Sequence, residues 1–510
     1  MPDEVVRRRR RLALLAATAL IVVIAVVAVL LTRGGASGAP IAEEAASLVP
    51  SDAIVYVHVS TDGDRGAVKD ARKLAGSFDG YERLRDSVLS RLSVGGGGRS
   101  AVSPWLGDEM ALALLGPQGE TAGSLVLLSV RDRDKARAFV REGARRSGPS
   151  RTYKGVTLAR YGAVYAAFIG DFLALGQQAS LQQAIDLQQG RGEALARDAT
   201  FAKLTTRLPS DRVADAYATA DGLRRLLVPA GGALGVAGVV LDRPNLRGTA
   251  VAVQAEDPGL VLTVAADVPG RKAQPLDPAL LSSVPKNALA YFGSRGLDQS
   301  AGRLLAAAGT SALGDLIRQG RRALGAEGAR SVGEDLLALL ERETAVVLLP
   351  GVPAPTLLVM AKTENEERTR AALKRLTDAL PGLLPGGKVT QADGVTKVTS
   401  DQAELDATVS DGKLMISTGM VGIDAARSSN GGIEDADAFK ATVPDARSGD
   451  VTSLVFLDFS QLLRLAEQTG LNDSRAYLAV KDDLTRVRAV GVRSTGEGED
   501  TTSEIRFQIP

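Results

Sequence analysis

The single histidine of the chain, His58, is the first residue to consider for acid–base or metal chemistry. It lies in the segment IVYVHV, a predicted strand in which alternate side chains share a face. Tyr56 and His58 therefore point to one side, and Val57 and Val59 point to the other. One histidine cannot form a histidine metal cluster, and Ser-His-Asp catalysis would also need a nucleophile elbow, G-x-S-x-G, that the sequence lacks. These observations favour a structural role for His58.

Two short patterns resemble motifs of catalysis or phosphate binding. Ser410 and Lys413 match the S-x-x-K pattern of penicillin-binding proteins, whose serine and lysine face each other across one helical turn. Here the intervening Asp411-Gly412 predicts a tight β-hairpin turn, so we expect no catalytic pair. The glycines at residues 95–98 are not followed by Lys-Ser/Thr, which favours a flexible loop over a phosphate cradle.

Two acidic clusters could be considered for calcium binding. Asp62 and Asp64 precede one predicted helix, and residues 434–437 (EDAD) precede another. Neither cluster has the spaced oxygen ligands of a calcium-binding loop. Aspartate is a preferred N-cap because its carboxylate accepts hydrogen bonds from the free amides of the first helical turn. We therefore predict that these residues cap helices, and we assign no catalytic, cofactor-binding or metal-binding residue in the chain.

One apolar stretch differs between otherwise similar halves of the chain. Residues 226–240 read LLVPAGGALGVAGVV, and the corresponding part of the second half does not repeat this glycine-rich pattern. Such a stretch could line an apolar groove or touch lipid, since exposed apolar patches often mark binding surfaces. A buried connection between a helix and a strand is the simpler interpretation, and it is the one we favour.

The N-terminal region has the pattern of a membrane-inserted segment. Residues 7–11 are all arginine, and the uncharged apolar run at residues 12–31 is about as long as a helix needs to cross a hydrocarbon core of about 30 Å. The positive-inside rule places the arginines in the cytoplasm and the chain from Thr32 onward outside it. A cleaved signal peptide, with its cleavage site in residues 34–40, is the alternative. Its apolar core would be shorter, so we predict an uncleaved single-pass anchor in a bacterial cell membrane.

Composition narrows the classes of partner. A chain of 510 residues is long enough for roughly two to four domains of about 150 residues. It carries 61 basic and 60 acidic side chains, and because six arginines surround the apolar run, the rest of the chain is slightly acidic. An acidic body with 4% aromatic residues lacks the basic footprint of a nucleic-acid-binding protein. The absence of cysteine excludes disulfides, thiolate metal sites, cysteine nucleophiles and lipoprotein acylation.

The exported region is internally duplicated. Val-Pro precedes an apolar strand in both halves, and the same interval separates Pro50 from Tyr56 and Pro285 from Tyr291. Further blocks follow in the same order in both halves, which indicates a repeat rather than coincidence. The paired blocks are LGDEMALALLGP and LERETAVVLLPG, the strand–helix segments beginning SLVLLSV and TLLVMAK, the hairpins AAFIGDFLALG and ATVSDGKLMISTG, the helix starts DATFAKL and DADAFKA, and the strand–helix units VADAYATADGLRRLL and TSLVFLDFSQLLRLA.

These patterns predict an α+β fold, with an N-terminal transmembrane helix followed by two tandem homologous α+β repeats of mostly antiparallel sheet. The prolines of the linker PGRKAQPLDP continue neither a strand nor a helix. Whether the repeats form separate domains or share one sheet is left open by the sequence. The predicted segments are a cytoplasmic basic segment (1–11), a transmembrane helix (12–31), an extracytoplasmic tether (32–45), a first repeat (46–269), a linker (270–279) and a second repeat (280–510).

The Val-Pro blocks before Tyr56 and Tyr291, the N-terminal apolar segment and the order of strand, helix and hairpin resemble a bacterial membrane-anchored family of unknown function (domain of unknown function 3352). The resemblance covers most of the exported region. It implies a membrane anchor and supports the fold described above. It implies no catalytic residue, because the family has no assigned activity.

The leading functional hypothesis is a non-enzymatic, extracytoplasmic binding or scaffold module at the bacterial cell envelope. Its expected partners are the membrane and an envelope protein or apolar ligand, with no cofactor and no nucleic acid. The alternatives are an envelope hydrolase that uses carboxylates, or a protein that binds lipid or another apolar ligand. The hydrolase requires a pair of carboxylates converging in a cleft with perturbed pKa values. A purely structural spacer would show neither a cleft nor an apolar patch.

Overall fold

The computed structural model describes residues 43–78, 101–118, 121–145, 148–226, 245–270, 273–295, 342–352, 354–379, 387–399, 404–428, 431–478 and 480–509. The chain divides into two compact units, Met1–Arg271 (unit 1) and Lys272–Pro510 (unit 2).

Unit 1 is built on an antiparallel sheet. Its described strands are β1 (Val55–Ser60), β2 (Leu106–Gln118), β3 (Thr121–Val130), β4 (Arg151–Tyr153), β5 (Val156–Tyr161), β6 (Val164–Ile169), β7 (Phe172–Gly176), β8 (Ala214–Thr219), β9 (Gly248–Glu256) and β10 (Gly259–Asp267). They pair in the order β4-β5-β6-β7-β3-β2-β1-β8-β9-β10, and every pairing is antiparallel. Strand β1 is an interior strand, because β2 and β8 are hydrogen-bonded to its two edges.

Helices cover both faces of the unit 1 sheet. They are a 3₁₀ helix at Ala45–Leu48, α1 (Gly66–Ala75), α2 (Arg133–Ala144), α3 (Gln178–Gln188), a 3₁₀ turn at Leu195–Arg197, α4 (Ala199–Thr205) and α5 (Ala220–Leu226). Tyr56 packs in a core with α3, α4 and the 3₁₀ helix at Ala45–Leu48. Val57 and Val59 pack in a second core with α1 and α2. The alternation predicted for the segment IVYVHV is therefore confirmed, and both of its faces are buried.

Unit 2 repeats this architecture. Its described strands are β11 (Ala290–Arg295), β12 (Glu343–Leu349), β13 (Thr356–Lys362), β14 (Lys388–Ala392), β15 (Val395–Thr399), β16 (Glu404–Ser410), β17 (Lys413–Ser417), β18 (Val451–Leu457), β19 (Ala489–Glu497) and β20 (Asp500–Gln508). Their order, β14-β15-β16-β17-β13-β12-β11-β18-β19-β20, is that of unit 1 strand for strand, again with only antiparallel pairings.

The helices of unit 2 follow the same succession at first and then differ near the end. They are a 3₁₀ helix at Ala279–Ser283, α6 (Glu366–Ala379), α7 (Met420–Arg427), a 3₁₀ turn at Ile433–Asp435, α8 (Asp437–Thr442), α9 (Phe459–Gln468), a 3₁₀ turn at Leu471–Asp473, α10 (Arg475–Leu478) and α11 (Lys481–Leu484). Leu281, Ile423 and Phe439 from three of these elements pack with Tyr291 in the main core.

The two predicted hairpins are confirmed. Strands β6 and β7 are joined by a turn in which Gly170 has a φ of 55°. Strands β16 and β17 are joined through Asp411 and Gly412, whose φ values of 54° and 69° lie in the left-handed region that two-residue hairpin turns require. Glycine and aspartate adopt this region more readily than most residues, so the local sequence sets these turns.

The predicted fold class needs correction. The described chain is dominated by antiparallel sheet, and its longest described helix, α6, has 14 residues. The charged segments that predicted helices do form helices, but these are short layers on the sheet faces, so α+β was the wrong description. No helix among the described residues is long and apolar enough to span a membrane. The segment predicted to do so, residues 12–31, lies outside the described residues.

Candidate functional site

The one histidine of the chain lies on the face of β1 that packs against the 3₁₀ helix of unit 1. In the sheet register, His58 is opposite Asp215 of β8 on one side and Ala111 of β2 on the other. Glu109 is two residues from Ala111 on β2, and therefore reaches the same face diagonally. The sheet thus brings two carboxylates to the imidazole from two neighbouring strands.

Asp215 holds one side of the imidazole ring. Its Oδ1 lies 3.1 Å from Nδ1 of His58 and accepts a hydrogen bond of 2.8 Å from Nε of Arg212. Arg212 also donates to the carbonyl of Pro209 at 2.9 Å and forms an ion pair with Glu43. A histidine and an arginine therefore share one buried carboxylate oxygen, an arrangement that is stable only while the carboxylate is ionised.

Glu109 links the opposite side of the ring to the backbone of the preceding segment. Its Oε1 lies 3.5 Å from Nε2 of His58 and accepts a hydrogen bond of 2.8 Å from the amide of Ala45. Its Oε2 accepts a bond of 3.1 Å from the amide of Glu44. These amides belong to the start of the 3₁₀ helix at Ala45–Leu48, where backbone donors have no partner within the helix. We call this arrangement the Glu109 clamp.

The charges of the cluster shift the pKa values of its members in different directions. Burial by itself lowers the pKa of His58, but Asp215 and Glu109 outweigh it, and the pKa is raised above 6.5. Burial raises the pKa of Asp215, yet His58 and Arg212 reverse this effect, and its pKa is lowered. Burial also raises the pKa of Glu109, and there His58 and the two amides offset the rise only in part. An ionised Asp215 beside a protonated His58 is the favoured state.

Burial limits the chemistry of this cluster. His58 is 1% exposed, and Glu109, Arg212 and Asp215 are also buried. Nε2 of His58 makes no hydrogen bond to any described residue. A general base must reach the proton that it removes from a substrate, and a side chain with this exposure cannot do so without an opening of the fold. The cluster can hold a proton on His58, and Glu109 anchors the 3₁₀ helix at Ala45–Leu48.

Unit 2 contains the clamp without the histidine. Glu343 occupies the position of Glu109 and accepts bonds of 3.0 Å and 2.8 Å from the amides of Ala279 and Leu280. Gly293 stands in the position of His58, with Leu454 opposite it in place of Asp215. Burial raises the pKa of Glu343 to about 7, against the effect of the two amides.

The aromatic surroundings are also repeated. In unit 1, the ring of Phe201 lies 5.7 Å from that of Tyr56 and 5.3 Å from that of Tyr217, both edge to face. In unit 2, the ring of Phe439 lies 6.4 Å from that of Tyr291 and 5.5 Å from that of Phe456. Each phenylalanine comes from a helix start that the sequence blocks had paired. The aromatic packing is therefore common to both units, and unit 1 adds the His58–Asp215 pair.

The S-x-x-K pattern is a hairpin and forms no catalytic pair. Ser410 and Lys413 are the last and first residues of paired strands and stand opposite each other across the turn. Nζ of Lys413 donates to Oγ of Ser283 at 2.7 Å, and Oγ of Ser410 accepts from Arg427 at 3.4 Å. The interpretation from the sequence is confirmed for this motif.

The capping prediction for the two acidic clusters is wrong. Asp62 accepts a hydrogen bond from the amide of Asp64, while the N-cap position of α1 is Arg65 with no side-chain cap. Glu434 forms two bonds of 2.6 Å with Arg447, and the N-cap position of α8 is Ala436. Helix α1 begins at Gly66, two residues after Asp64, and α8 begins at Asp437 itself, so no aspartate of either cluster occupies an N-cap position.

Other aspartates do cap helices. Asp132, Asp198 and Asp458 accept backbone hydrogen bonds at the starts of α2, α4 and α9. Among the described residues, no group of three or more histidine or acidic side chains is arranged to hold a metal ion. Residues 95–98 and 227–240, which the sequence singled out, lie outside the described residues.

Sequence reasoning missed Glu109, Asp215 and Glu343. A signal was present, because Glu109 and Glu343 take the same place in the paired blocks LGDEMALALLGP and LERETAVVLLPG. A charged residue inside an apolar strand is buried only when it has partners. The partners could not be named, since they are brought together by pairing between distant strands.

Comparisons with known proteins identify the family. Three solved structures of low similarity are the crystal forms III, I and IV of TP0453, with 10%, 11% and 14% identity and TM-scores of 0.27, 0.28 and 0.25. The matches cover 45–47% of this chain and 82–83% of theirs. No curated protein matches the chain. Residues 13–509 match the family described as "Protein of unknown function (DUF3352)", and the chain belongs to that family.

Proposed function

We propose that this protein is a non-enzymatic binding or scaffold module that contacts a partner protein through one end of unit 2. The observation that carries the proposal is a set of three large apolar side chains exposed where β12 is joined to β13. Val352 in the connection is 100% exposed, Leu357 in β13 is 41% exposed, and Val421 in α7 is 67% exposed. Exposed apolar side chains gathered in one region are typical of protein-binding surfaces.

Backbone contacts place Leu357 and the start of α7 at the same end of the sheet, where the side chain of Leu357 lies on the α6 face and α7 packs on the opposite face. The amide of Leu357 donates to Oγ1 of Thr418 at 3.0 Å, and the amide of Thr418 donates to the carbonyl of Leu357 at 3.0 Å. Helix α7 begins two residues after Thr418, and Val421 is its second residue. We call Val352, Leu357 and Val421 the apolar end of unit 2.

Unit 1 does not repeat the apolar end. Ser124 takes the place of Leu357, because the register pairs Leu112 with Val126 as it pairs Val346 with Val359. The second residue of α3 is Ala179, where α7 has Val421. The difference supports a role for this end of unit 2 that the common architecture does not require.

A protein fits the apolar end better than an anionic lipid surface. Residues 350–361 read PGVPAPTLLVMA and contain no charged side chain. Binding to anionic lipid draws on clustered lysine and arginine near the surface. An apolar protein surface needs no such charges, because its association depends on the burial of apolar area.

The non-enzymatic part of the proposal is supported by the use of the buried carboxylates. A hydrolase would need two carboxylates that converge in a cleft. Glu109 and Glu343 instead accept backbone amides in the interior of their units, and burial there raises their pKa values against the effect of the amides, without a substrate. No second candidate function is favoured by a specific contact.

We place the module outside the cytoplasm, on the basis of the arginines at residues 7–11 and the positive-inside rule. The chain contains no cysteine, so a single introduced cysteine is a unique label. An Ala179→Cys variant in spheroplasts should react with a membrane-impermeant maleimide without lysis. Reaction only after lysis would place unit 1 in the cytoplasm and overturn the location.

The binding proposal is tested by site-specific photocrosslinking in the organism's own cells. A photoreactive amino acid at Val421 should yield one discrete adduct of higher mass, and the same residue at the matched position Ala179 should yield none. Leu357→Ser should reduce the adduct from Val421 at least severalfold at equal protein level. Equal adducts from both positions, or no adduct from Val421 and Val352, would contradict the proposal.

A further inference from the structure

We propose that His58 and Glu109 form a pH-sensitive latch, which holds the 3₁₀ helix of unit 1 while the imidazole is protonated and releases it when the proton is lost. This latch is independent of the binding role proposed for unit 2. It rests on the geometry of the buried cluster around His58 and on the absence of its equivalent in unit 2.

The latch acts on the first described segment of the chain. Glu44 and Ala45 donate their amides to the two carboxylate oxygens of Glu109. Glu43, one residue earlier, pairs with Arg212, which in turn holds Asp215. The segment that leads from residues 1–42 into unit 1 is therefore attached to the sheet through the same cluster that contains His58.

Protonation decides whether the ring supports Glu109. A doubly protonated imidazole donates at both nitrogens, so Nδ1 faces Oδ1 of Asp215 at 3.1 Å while Nε2 faces Oε1 of Glu109 at 3.5 Å. A neutral ring that donates to Asp215 presents the lone pair of Nε2 to the Glu109 carboxylate. In a buried site this repulsion is strong, and it weakens the ionised form of Glu109 that binds the two amides best.

Charged groups from four neighbouring segments face His58 or its partners. Strand β8 and its approach contribute Asp215 and Arg212, β2 contributes Glu109, the loop before α1 contributes Arg65, and the N-terminal segment contributes Glu43. On β1 itself, Tyr56 stacks beside the ring with centroids 6.4 Å apart. Glu44, whose amide the clamp holds, also acts on Glu109, and loss of the imidazole proton removes one positive charge from beside these carboxylates.

The direction of the pKa of His58 agrees with this assignment. The pKa is raised in the folded chain by Asp215 and Glu109, against the effect of burial. A raised pKa means that the contribution of His58 to stability is fully present below about pH 6.5, its value in an unfolded chain. The contribution is lost as the pH rises through the folded-state pKa.

Unit 2 supplies an internal control. The Glu343 clamp holds Ala279 and Leu280 in the same way, but Gly293 leaves it without an imidazole, and Lys362 is the cation that lowers the pKa of Glu343. A pH effect that arises from His58 must appear at Ala45 with the midpoint of the imidazole and vanish in His58→Gln, whereas Leu280 follows the separate titration of Glu343, whose pKa is about 7.

Two measurements on the full-length chain test the latch. Because His58 is the only histidine, histidine-selective isotope labelling of untagged protein gives a single imidazole signal, whose chemical shift against pH yields its midpoint directly. Hydrogen exchange of the Ala45 and Leu280 amides, corrected for the intrinsic effect of pH, is followed over the same range. We expect the Ala45 rate to rise severalfold across the His58 midpoint, while the Leu280 rate follows the titration of Glu343 instead.

Each outcome of these measurements either supports or overturns the latch. In His58→Gln, the step at Ala45 should disappear while Leu280 is unchanged. A His58 midpoint below 6.5, an Ala45 rate that is flat across the midpoint, or an identical step in His58→Gln would overturn the latch. If His58→Gln does not fold, Glu343→Gln removes the titration that affects Leu280. A step at Ala45 that stays at the His58 midpoint in that variant supports the latch, and its loss overturns the latch.

Discussion

The interior strands of the two units, β1 and β11, hold the same tyrosine in matching aromatic surroundings and then differ two residues further on. Tyr56 is followed by His58 opposite Asp215, and Tyr291 is followed by Gly293 opposite Leu454. Both units nevertheless keep a buried glutamate on the neighbouring strand, with its two backbone amides. The glutamate clamp is therefore a requirement of the fold, and the histidine–aspartate pair is an addition that unit 1 alone contains.

The space around the tyrosine explains why unit 2 has glycine. A Cβ atom on Gly293 would lie 2.1 Å from the hydroxyl oxygen of Tyr291, which leans over the strand. In unit 1 the ring of Tyr56 is nearly parallel to that of His58, with an interplanar angle of 9°. The tyrosine of unit 1 stacks beside His58, whereas the tyrosine of unit 2 occupies the space that a Cβ atom at Gly293 would need.

The largest effect should come from removing the anion of unit 1. Asp215→Asn removes the buried carboxylate that His58 and Arg212 share, and we expect a loss of about 3–5 kcal/mol in the free energy of unfolding of unit 1. Trp105, the only tryptophan, is buried in unit 1, so its fluorescence during urea unfolding reports on this unit. The control Asp171→Asn, in the exposed β6–β7 turn, should change it by less than about 0.5 kcal/mol. Equal effects of the two variants would remove the basis for treating the pair as a buried ion pair.

The next effect concerns pH in unit 2. Glu343 has a pKa raised from 4.5 to about 7, so the folded unit binds more protons than the unfolded chain between these values. Unit 2 should therefore be most stable below about pH 4.5 as far as this group is concerned, and lose up to about 3 kcal/mol as the pH rises through 7. Hydrogen exchange of the β11 and β12 amides measures this loss. Glu343→Gln should flatten the profile, and an unchanged profile would assign the pH dependence to other groups.

A moderate effect is expected where the two tyrosines differ. Gly293→Ala forces the ring of Tyr291 to move, and we expect a loss of about 1–3 kcal/mol in the stability of unit 2, measured by hydrogen exchange of β11. Tyr291→Phe in the same chain removes the closest atom and should recover part of the loss. A loss that the second change does not reduce would locate the strain elsewhere.

The smallest effect should be the same in both units, and it should stabilise them, unlike the losses expected from the other variants. The hydroxyls of Tyr56 and Tyr291 are buried and have no hydrogen-bond partner among the described residues. Tyr56→Phe and Tyr291→Phe should therefore each be neutral or stabilising by up to about 1 kcal/mol, because an unsatisfied buried hydroxyl is removed. Urea unfolding for the first variant and hydrogen exchange for the second provide the measurement. A clear loss in one variant alone would reveal a hydroxyl role that the other unit lacks.

Much of the local structure could be predicted from the sequence. The turns at Gly170 and Asp411-Gly412 were identified because only a few residue types accept a positive φ. Helices α2 and α6 were predicted from the charged segments that follow the strands SLVLLSV and TLLVMAK. The balance of sheet and helix was not predicted. A local pattern identifies each element separately, and it does not show how many strands pair side by side in the antiparallel sheet of each unit.

Only part of the candidate site could be predicted from the sequence. His58 was correctly placed on one face of a strand, and its structural role was the favoured interpretation. Its partners lie far along the chain, with Asp215 separated from it by 157 residues. Which strands flank β1, and in what register, depends on the packing of whole faces rather than on any short pattern.

The sequence by itself determined the repeated order of elements, the turn chemistry, the absence of cysteine chemistry and the presence of one histidine. Only the tertiary structure decided that this histidine lies between two carboxylates, that one of them holds the backbone of a distant 3₁₀ helix, and that the second unit keeps the clamp but not the charge pair. The physical reason is that local propensity and periodicity act within a few residues. The protonation and partners of a buried group depend on every charge that the sheet register brings within a few ångströms.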